Sequence, residues 1–358
     1  MARERIAVAL SGGVDSAVAA ALLLDQGFDV IGLTMHLWRH SSAPTEAEAD
    51  ISQGPVEKAR QVANALQIPY HVVDARLLFK RRVVEPFVAE YSSGLTPNPC
   101  LLCNRHLKFG YLLSMAADLG ADRLATGHYA RTRLGPDGRT WQLLKGADPS
   151  KDQSYVLYML GQEQLPRVTF PLGAWTKQAV REMARERGLP AAYGEESQDL
   201  CFLPDNDYRR FLRQVAPDAF TAGPILDVDG REIGQHQGLP AYTIGQRSKI
   251  GIAAAEALYV LGTDAGRNAL LVGPKRALGR NSLTAHGVSW VSGKPPSGRT
   301  AVLVKIRYKA RPVQATVEPL PGEHATVLLS EQLCDVTPGQ GVVFYDDEIV
   351  LGGGIIAR

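Results

Sequence analysis

Apolar residues first appear in short unbroken runs, separated by stretches where they recur every three or four positions. Residues 6–10 are such a run and predict a buried strand, and residues 30–35, 70–73 and 124–126 predict three further strands. The segments between them read as helices. Residues 17–26 end at Gly27, and residues 55–66 carry Val56, Ala59, Ala63 and Leu66 on one face. Leu107, Tyr111, Met115 and Leu119 recur every four positions, which predicts an amphipathic helix. Two further helices are predicted at 175–188 and 207–215. Strands alternating with helices point to a doubly wound parallel sheet, a Rossmann-like α/β fold. Such sheets bind ligands at the carboxyl ends of their strands, a rim that here includes residues 11–16, Met35 and Gly127. Residues 41–54, 94–104 and 147–154 read as loops, the second because Pro97 and Pro99 oppose helix. Beyond about 216 the helical period fades and Pro, Gly and Thr rise. Asp229-Gly230 marks a hairpin, and the chain from 284 onward alternates as short strands, a small β-barrel. The expected division is 1–215, 216–283 and 284–358.

A chain of 358 residues suits two or three domains, and 45% hydrophobic with 21% charged residues is ordinary for a globular protein. No apolar run approaches the ~20 residues that span a bilayer, and no secretory h-region precedes the first strand. No membrane association and a cytoplasmic location are therefore expected. A net charge of +2 neither demands nor forbids a nucleic-acid partner. Four cysteines in a chain this long are not a disulfide scaffold.

The chemistry begins at Ser11-Gly-Gly-Val-Asp-Ser16, between the first strand and the first helix. A glycine-rich turn there leaves backbone N–H groups free at a helix start, where the dipole favours an anion. Gly12 and Gly13 permit close approach, Ser11 and Ser16 add hydroxyls, and Asp15 is placed to meet a metal ion beside a phosphate. No Lys-Ser/Thr pair closes the loop, so it is not a Walker A motif. It resembles the PP-loop of ATP pyrophosphatases, which grip pyrophosphate while ATP donates AMP.

Cys100 and Cys103 form a CxxC, Cys201 is distant, and Cys334 reads as a small buried hydrophobe. The first three suit either persulfide and disulfide chemistry or an iron–sulfur cluster with one open position. Arg105 and Lys108 are near enough in sequence to favour a thiolate. Lys305, Arg307, Lys309 and Arg311 alternate with apolar residues, which on a strand puts four cations on one face, suited to a phosphate backbone. Lys80-Arg-Arg82 and Arg209-Arg210 with Arg213 add weaker basic sites.

These motifs, with Thr96-Pro-Asn-Pro-Cys-Leu-Leu-Cys-Asn104, Lys108-Phe109, Gly127-His-Tyr129, Lys151-Asp-Gln-Ser-Tyr155, Ser197-Gln-Asp-Leu-Cys-Phe202, Tyr242-Thr-Ile-Gly-Gln-Arg247 and Gly352-Gly-Gly-Ile355, occur in order along nearly the whole chain. Together they resemble the tRNA 2-thiouridylases of the PP-loop superfamily. The resemblance implies a PP-loop domain, a small central domain and a C-terminal β-barrel. It implies ATP and Mg²⁺, adenylation of the C2 oxygen of tRNA uridine 34 (in tRNAs of the Lys, Glu and Gln types), and replacement of that oxygen by sulfur. Cys201 matches the persulfide carrier and Cys103 the second catalytic cysteine, with a disulfide left between them. Ala9, Leu10, Ser11, Gly12, Gly13, Val14, Asp15, Ser16, Met35 and Gly127 match ATP contacts. Asn98, Pro99 and Cys100 match the target-base loop. His128, Lys151, Asp152, Gln153, Arg307, Tyr308 and Gln340 match tRNA contacts. A cysteine desulfurase or sulfur-relay protein is the implied donor.

Two departures stand out. Cys100 occupies the place of an aspartate proposed as acid/base, and resembles instead a branch for which Cys100, Cys103 and Cys201 would ligate a [4Fe–4S] cluster. Ser248-Lys249 stands where Lys-Gly is usual. The competing readings are another AMP-forming PP-loop ligase, which has no use for the cysteines, and a nucleotide-dependent RNA-binding protein without turnover.

Overall fold

The computed structural model describes residues 3–40, 53–193, 200–203 and 205–358. The first region runs β1 (Arg5–Ala9), α1 (Val14–Asp25), β2 (Asp29–His36), α2 (Gln53–Ala65), β3 (Tyr70–Asp74), α3 (Arg76–Phe79), α4 (Glu85–Ser92), α5 (Pro99–Leu102), α6 (Leu113–Asp118), β4 (Arg123–Ala125), β5 (Ala130–Leu134), β6 (Trp141–Lys145), β7 (Val168–Thr169), α7 (Lys177–Glu186) and α8 (Tyr208–Val215). Five strands form a parallel sheet in the order β3-β2-β1-β4-β7. Ile6, Ala7 and Val8 are fully buried because helices cover both faces of the sheet. Connections leave β1 to one side through β2 and β3, and to the other through β4 and β7. The switch point therefore lies between the ends of β1 and β4, where the loops open a crevice.

Two loop expectations differ from the structure. The stretch 94–104 is not wholly irregular, because α5 begins inside it with Pro99. A proline in the first helical turn gives up an N–H that has no partner anyway, and Asn98 caps that turn by accepting the Cys100 N–H at 3.1 Å. The chain then continues through a π-helical stretch, Cys103–Leu112, straight into α6. The loop expected at 41–54 lies outside the described residues up to 52, and residues 53 and 54 open α2.

The central region contains β8 (Gly223–Leu226), β9 (Glu232–His236), β10 (Leu258–Asp264) and β11 (Ala269–Pro274), paired in the order β10-β11-β8-β9. The Asp229-Gly230 turn joins β8 to β9, with Gly230 at φ +78° as a tight hairpin requires. Ile225, Val260, Leu270 and Val272 form the core of this unit, and none is exposed.

The last region has β12 (Arg280–Trp290), β13 (Thr300–Lys305), β14 (Val313–Leu320), β15 (His324–Leu333), β16 (Gly341–Asp346) and β17 (Ile349–Ile356). They pair antiparallel as β12-β15-β14-β13-β16-β17, and β17 returns to β12, so the barrel closes without a free edge. Alternate residues such as Val302, Val304, Val313, Ala315 and Val317 fill it. The hairpin β5–β6, supplied by the first region, pairs its Leu143 and Leu144 with β17 and ties the barrel to the parallel-sheet domain. Among the described residues, no helix is long and apolar enough to cross a membrane.

The expected row of four cations on one strand face does not form. β13 ends at Lys305 and the chain turns through 306–310. Lys305 is buried, with Nζ 4.0 Å from the Asp152 carboxylate, and desolvation pushes its ammonium pKa down. Arg307 pairs with Asp335, and Arg311 with Glu331 at 2.7 Å.

Candidate active site

The loop from Ser11 to Ser16 leaves β1 and enters α1, as its composition requires. Gly12 sits at φ +77°, and a Cβ there would lie 2.5 Å from Lys58 Cβ. The residue before α1, Gly13, offers no side-chain cap, so no side chain of its own covers the amides at the helix start. Ser16 Oγ donates to the Gly13 carbonyl at 3.0 Å and accepts the Ser11 N–H at 3.1 Å, which folds the loop over itself. Gly127, just past β4, lies against this turn. A Cβ there would come within 2.9 Å of the Asp15 carbonyl carbon and the Ser16 nitrogen. Ala9, Leu10 and Val14 complete the loop's flanks, and Met35 is half-buried at the end of β2. The structure thus brings the matched nucleotide residues onto the crevice at the switch point.

One partner in this crevice escaped the sequence reading. Lys177, the first residue of α7, reaches Asp15 with Nζ 2.6 and 2.7 Å from the two carboxylate oxygens. The Tyr129 hydroxyl donates to the same carboxylate at 2.8 Å. Thr176 caps α7, and the Lys177 N–H donates to Asp148 at 3.0 Å, which fixes the direction of the lysine stem. A lysine opening a basic helix carries no local signal for this; only the fold brings it to Asp15.

The thiols are linked toward this crevice through Lys108, which acts on Cys103 and contacts His128 next to Gly127. Asn98 and Pro99 start α5; Cys100 is exposed on its first turn, while Cys103 is buried where the π-helical stretch begins. Wider π turns re-aim side chains and are common at functional sites. Cys201 is exposed, and the buried ring of the next residue, Phe202, anchors it against Phe79, Phe87 and Phe211. Burial pushes the Cys103 thiol up to about 11, with Lys108 acting against the rise. The Cys201 thiol is pushed up to about 12, first by the low-dielectric surroundings and then by Cys103 and Cys100, with Lys108 and Arg39 opposing. The three thiols are thus within electrostatic reach of one another and of one ammonium. Residues 197–199 of the Cys201 motif lie outside the described residues. Among the described residues no group of three or more His, Cys, Asp or Glu side chains is disposed to hold a metal ion.

Lys108 also links to His128, with Nζ 3.3 Å from Nε2, while Nδ1 lies 2.7 Å from Thr126 Oγ1. Burial, followed by the charge of Lys108, holds the imidazole pKa well below its ordinary value. The ring is therefore neutral, accepting from Lys108 through Nε2 and donating through Nδ1.

The residues matched to tRNA contacts are held mainly by internal bonds. Asp152 is buried and accepts the Gly146 and Ser154 N–H groups, each at 3.0 Å. Gln153 accepts the Tyr129 N–H at 3.0 Å, and Lys151 is half-buried beside them. Tyr308 packs against Tyr155; burial, with the charges of Asp152 and Cys100, pushes its hydroxyl up to about 12. Gln340 donates to the Thr96 carbonyl at 2.8 Å, and Thr263 of the central region donates to the Gly94 carbonyl at 2.9 Å. Both other regions therefore grip the loop that carries Asn98, Pro99 and Cys100.

A PP-loop crevice, a group of mutually interacting thiols and a closed barrel bound to the loop that carries one of them define a three-domain nucleotide-dependent enzyme class. Comparison with known families agrees. The chain matches the tRNA methyl transferase HUP domain over residues 4–205, the tRNA methyl transferase PRC-barrel domain over 209–274 and the aminomethyltransferase β-barrel domain over 280–356. It is 49% identical over 368 residues to a Roseiflexus castenholzii protein named tRNA-specific 2-thiouridylase MnmA, covering 99% of each chain. A protein of the same name from Magnetococcus marinus is 49% identical over 354 residues, again covering 99% of each chain. The chain belongs to the tRNA-specific 2-thiouridylase MnmA family.

Proposed function

We propose that this protein converts uridine 34 of tRNA to 2-thiouridine at the expense of ATP. The amides at the start of α1 and the Ser11 and Ser16 hydroxyls cradle the leaving pyrophosphate. Asp15 is the carboxylate that would hold Mg²⁺, which supplies charge neutralisation on the phosphates. Lys177 then moves from Asp15 to the phosphate oxygens. The C2 oxygen of the flipped base attacks the α-phosphorus, and pyrophosphate departs. A sulfur carried on Cys201 as a persulfide attacks C2, and AMP leaves with the original oxygen. The Cys103 thiolate then attacks Cys201 Sγ, leaving sulfur on the base and a Cys103–Cys201 disulfide. An external thiol reduces that disulfide, and a cysteine desulfurase or sulfur-relay protein reloads Cys201.

What carries this reading is that Cys103 and Cys201, far apart in sequence, sit within electrostatic reach of each other and of Lys108. The Cys103 thiol, pushed up to about 11, is protonated at neutral pH, so it becomes the attacking thiolate by giving up its proton as it attacks, with the Lys108 cation favouring the charged form. Methyl transfer, the reaction in the family model's description, gives neither the thiols nor the PP-loop a task. The test is a Cys201→Ser variant, supplied with tRNA, ATP and a persulfide source. The expected result is loss of 2-thiouridine with ATP and tRNA binding retained; full thiolation by the variant overturns the cysteine route.

A further inference from the structure

A second cationic feature lies outside the crevice, where α8 meets the central region. A cleft of about 530 Å³ is lined there by Arg209, Arg210, Arg213 and Lys249, with Asp205 and Asp207 on its wall. The two carboxylates are already engaged. Asp205 pairs with Arg210 at 2.8 Å and accepts the Asp207 N–H, and Asp207 accepts the Arg210 N–H as the cap of α8. The cap occupies the helix terminus, so the positive character of the cleft comes from side chains.

Arg209 and Arg213 are held by contacts that leave their charge unneutralised. Arg209 donates through Nε to the Ala241 carbonyl at 2.9 Å and stacks over the Tyr208 ring at 4.8 Å. The Arg213 guanidinium lies 4.7 Å over the Phe220 ring. Arg213 and Lys249 are exposed and have no carboxylate partner among the described residues. Among the described residues Arg210 Nε is buried without an acceptor, a donor that native structures rarely leave unmet. Lys249 adds strain, since it sits at φ +63°, a left-handed conformation that L side chains rarely adopt. Strain retained at a cleft-lining cation is the kind found where a side chain has a task.

The cleft is also coupled to the reacting sulfur. Asn206, at φ +55° and on the cleft wall, accepts the Leu200 N–H through its side chain at 3.1 Å and so closes the segment bearing Cys201. We propose that Arg209, Arg213 and Lys249 bind backbone phosphates of the tRNA, so that the RNA is held against the element that carries the sulfur. This rests on the tRNA-modifying reading above. Guanidinium groups stacked on aromatic rings beside a flexible ammonium are a common means of tracking a phosphate backbone.

The experiment measures tRNA affinity against salt for the parent and for the Arg213→Gln/Lys249→Gln double variant, alongside ATP affinity and 2-thiouridine formation. Two lost phosphate contacts lower the slope of log K against log salt by about 1.4 to 1.8 and weaken binding on the order of tenfold, with ATP binding unchanged. A Lys249→Gly variant should lose affinity without losing melting temperature, which a purely structural role does not allow; Lys249→Arg should restore the parent slope. A double variant with parental slope and affinity overturns the proposal, while a parent that thiolates tRNA normally leaves the wider reading intact. A parental tRNA slope combined with loss of sulfur delivery from a protein donor also overturns it, assigning the cleft to an acidic protein surface.

Discussion

Gly127→Ala tests how the crevice is built. The added methyl carbon would stand 2.9 Å from the Asp15 carbonyl carbon, 2.9 Å from Ser16 N and 3.0 Å from Asp15 Cβ. Comfortable carbon contacts lie near ~3.5–4.0 Å, so the turn must retreat by roughly half an ångström or more. It has little room, because Ala17, Val18, Ala19 and Ala20 of α1 are fully buried behind it. Overpacking of this kind costs about 1–3 kcal/mol, and here it falls on the backbone that must meet the phosphates. ATP affinity should therefore fall about 10- to 100-fold, measured by calorimetry with a non-hydrolysable analogue, while tRNA affinity stays within about twofold of the parent. Gly298→Ala, where a Cβ meets nothing within 4 Å, is the matched control. ATP affinity unchanged in Gly127→Ala would refute the claim that β4 and the loop meet at contact distance.

Lys177→Met removes the ammonium 2.6 Å from Asp15. Pyrophosphate release in the presence of tRNA should drop on the order of 100-fold, the usual cost of one donor to a developing charge, with tRNA affinity kept; parental release would dismiss the role given to Lys177. The Cys201 thiol, pushed up to about 12, should alkylate in the free protein at a rate rising about tenfold per pH unit between about pH 7 and 10 without levelling off. The sign follows from its thiolate fraction, which at each pH in that range is below that of an ordinary cysteine. Lys108→Ala, which removes an opposing cation, should slow the reaction further. A plateau below about pH 9 in the parent would contradict the upward shift of this thiol.

The inner strands β1, β2 and β4 are legible in the sequence because both of their faces are covered, whereas the edge strand β3 is largely exposed, with Val72 41% exposed, and the two-residue β7 leaves no run to read. The glycine-rich turn is legible because only glycine suits its left-handed backbone and close contacts. Two departures from expectation have local causes. Pro99 opposes helix only in a helix interior, whereas at the first position it is tolerated and Asn98 caps it. The strand expected to carry Lys305, Arg307, Lys309 and Arg311 ends at Lys305; beyond it the chain turns, and Lys305, Arg307 and Arg311 disperse into pairs with Asp152, Asp335 and Glu331. Lys177 and the β5–β6 pairing with β17 are invisible in the sequence because each depends on a contact between distant segments. Among the cysteines, spacing points to the candidates, but the low-dielectric setting that keeps Cys103 protonated belongs to the packing of the cluster around Phe202.

Oxygen tracing tests the central claim most directly. Transfer RNA carrying ¹⁸O at C2 of uridine 34 would be turned over once with ATP and persulfide-loaded protein, and the products read by mass spectrometry. Adenylation of the base predicts one ¹⁸O in the phosphate of AMP for each 2-thiouridine formed, and none in pyrophosphate. Label in water or pyrophosphate, with unlabelled AMP, would contradict the account.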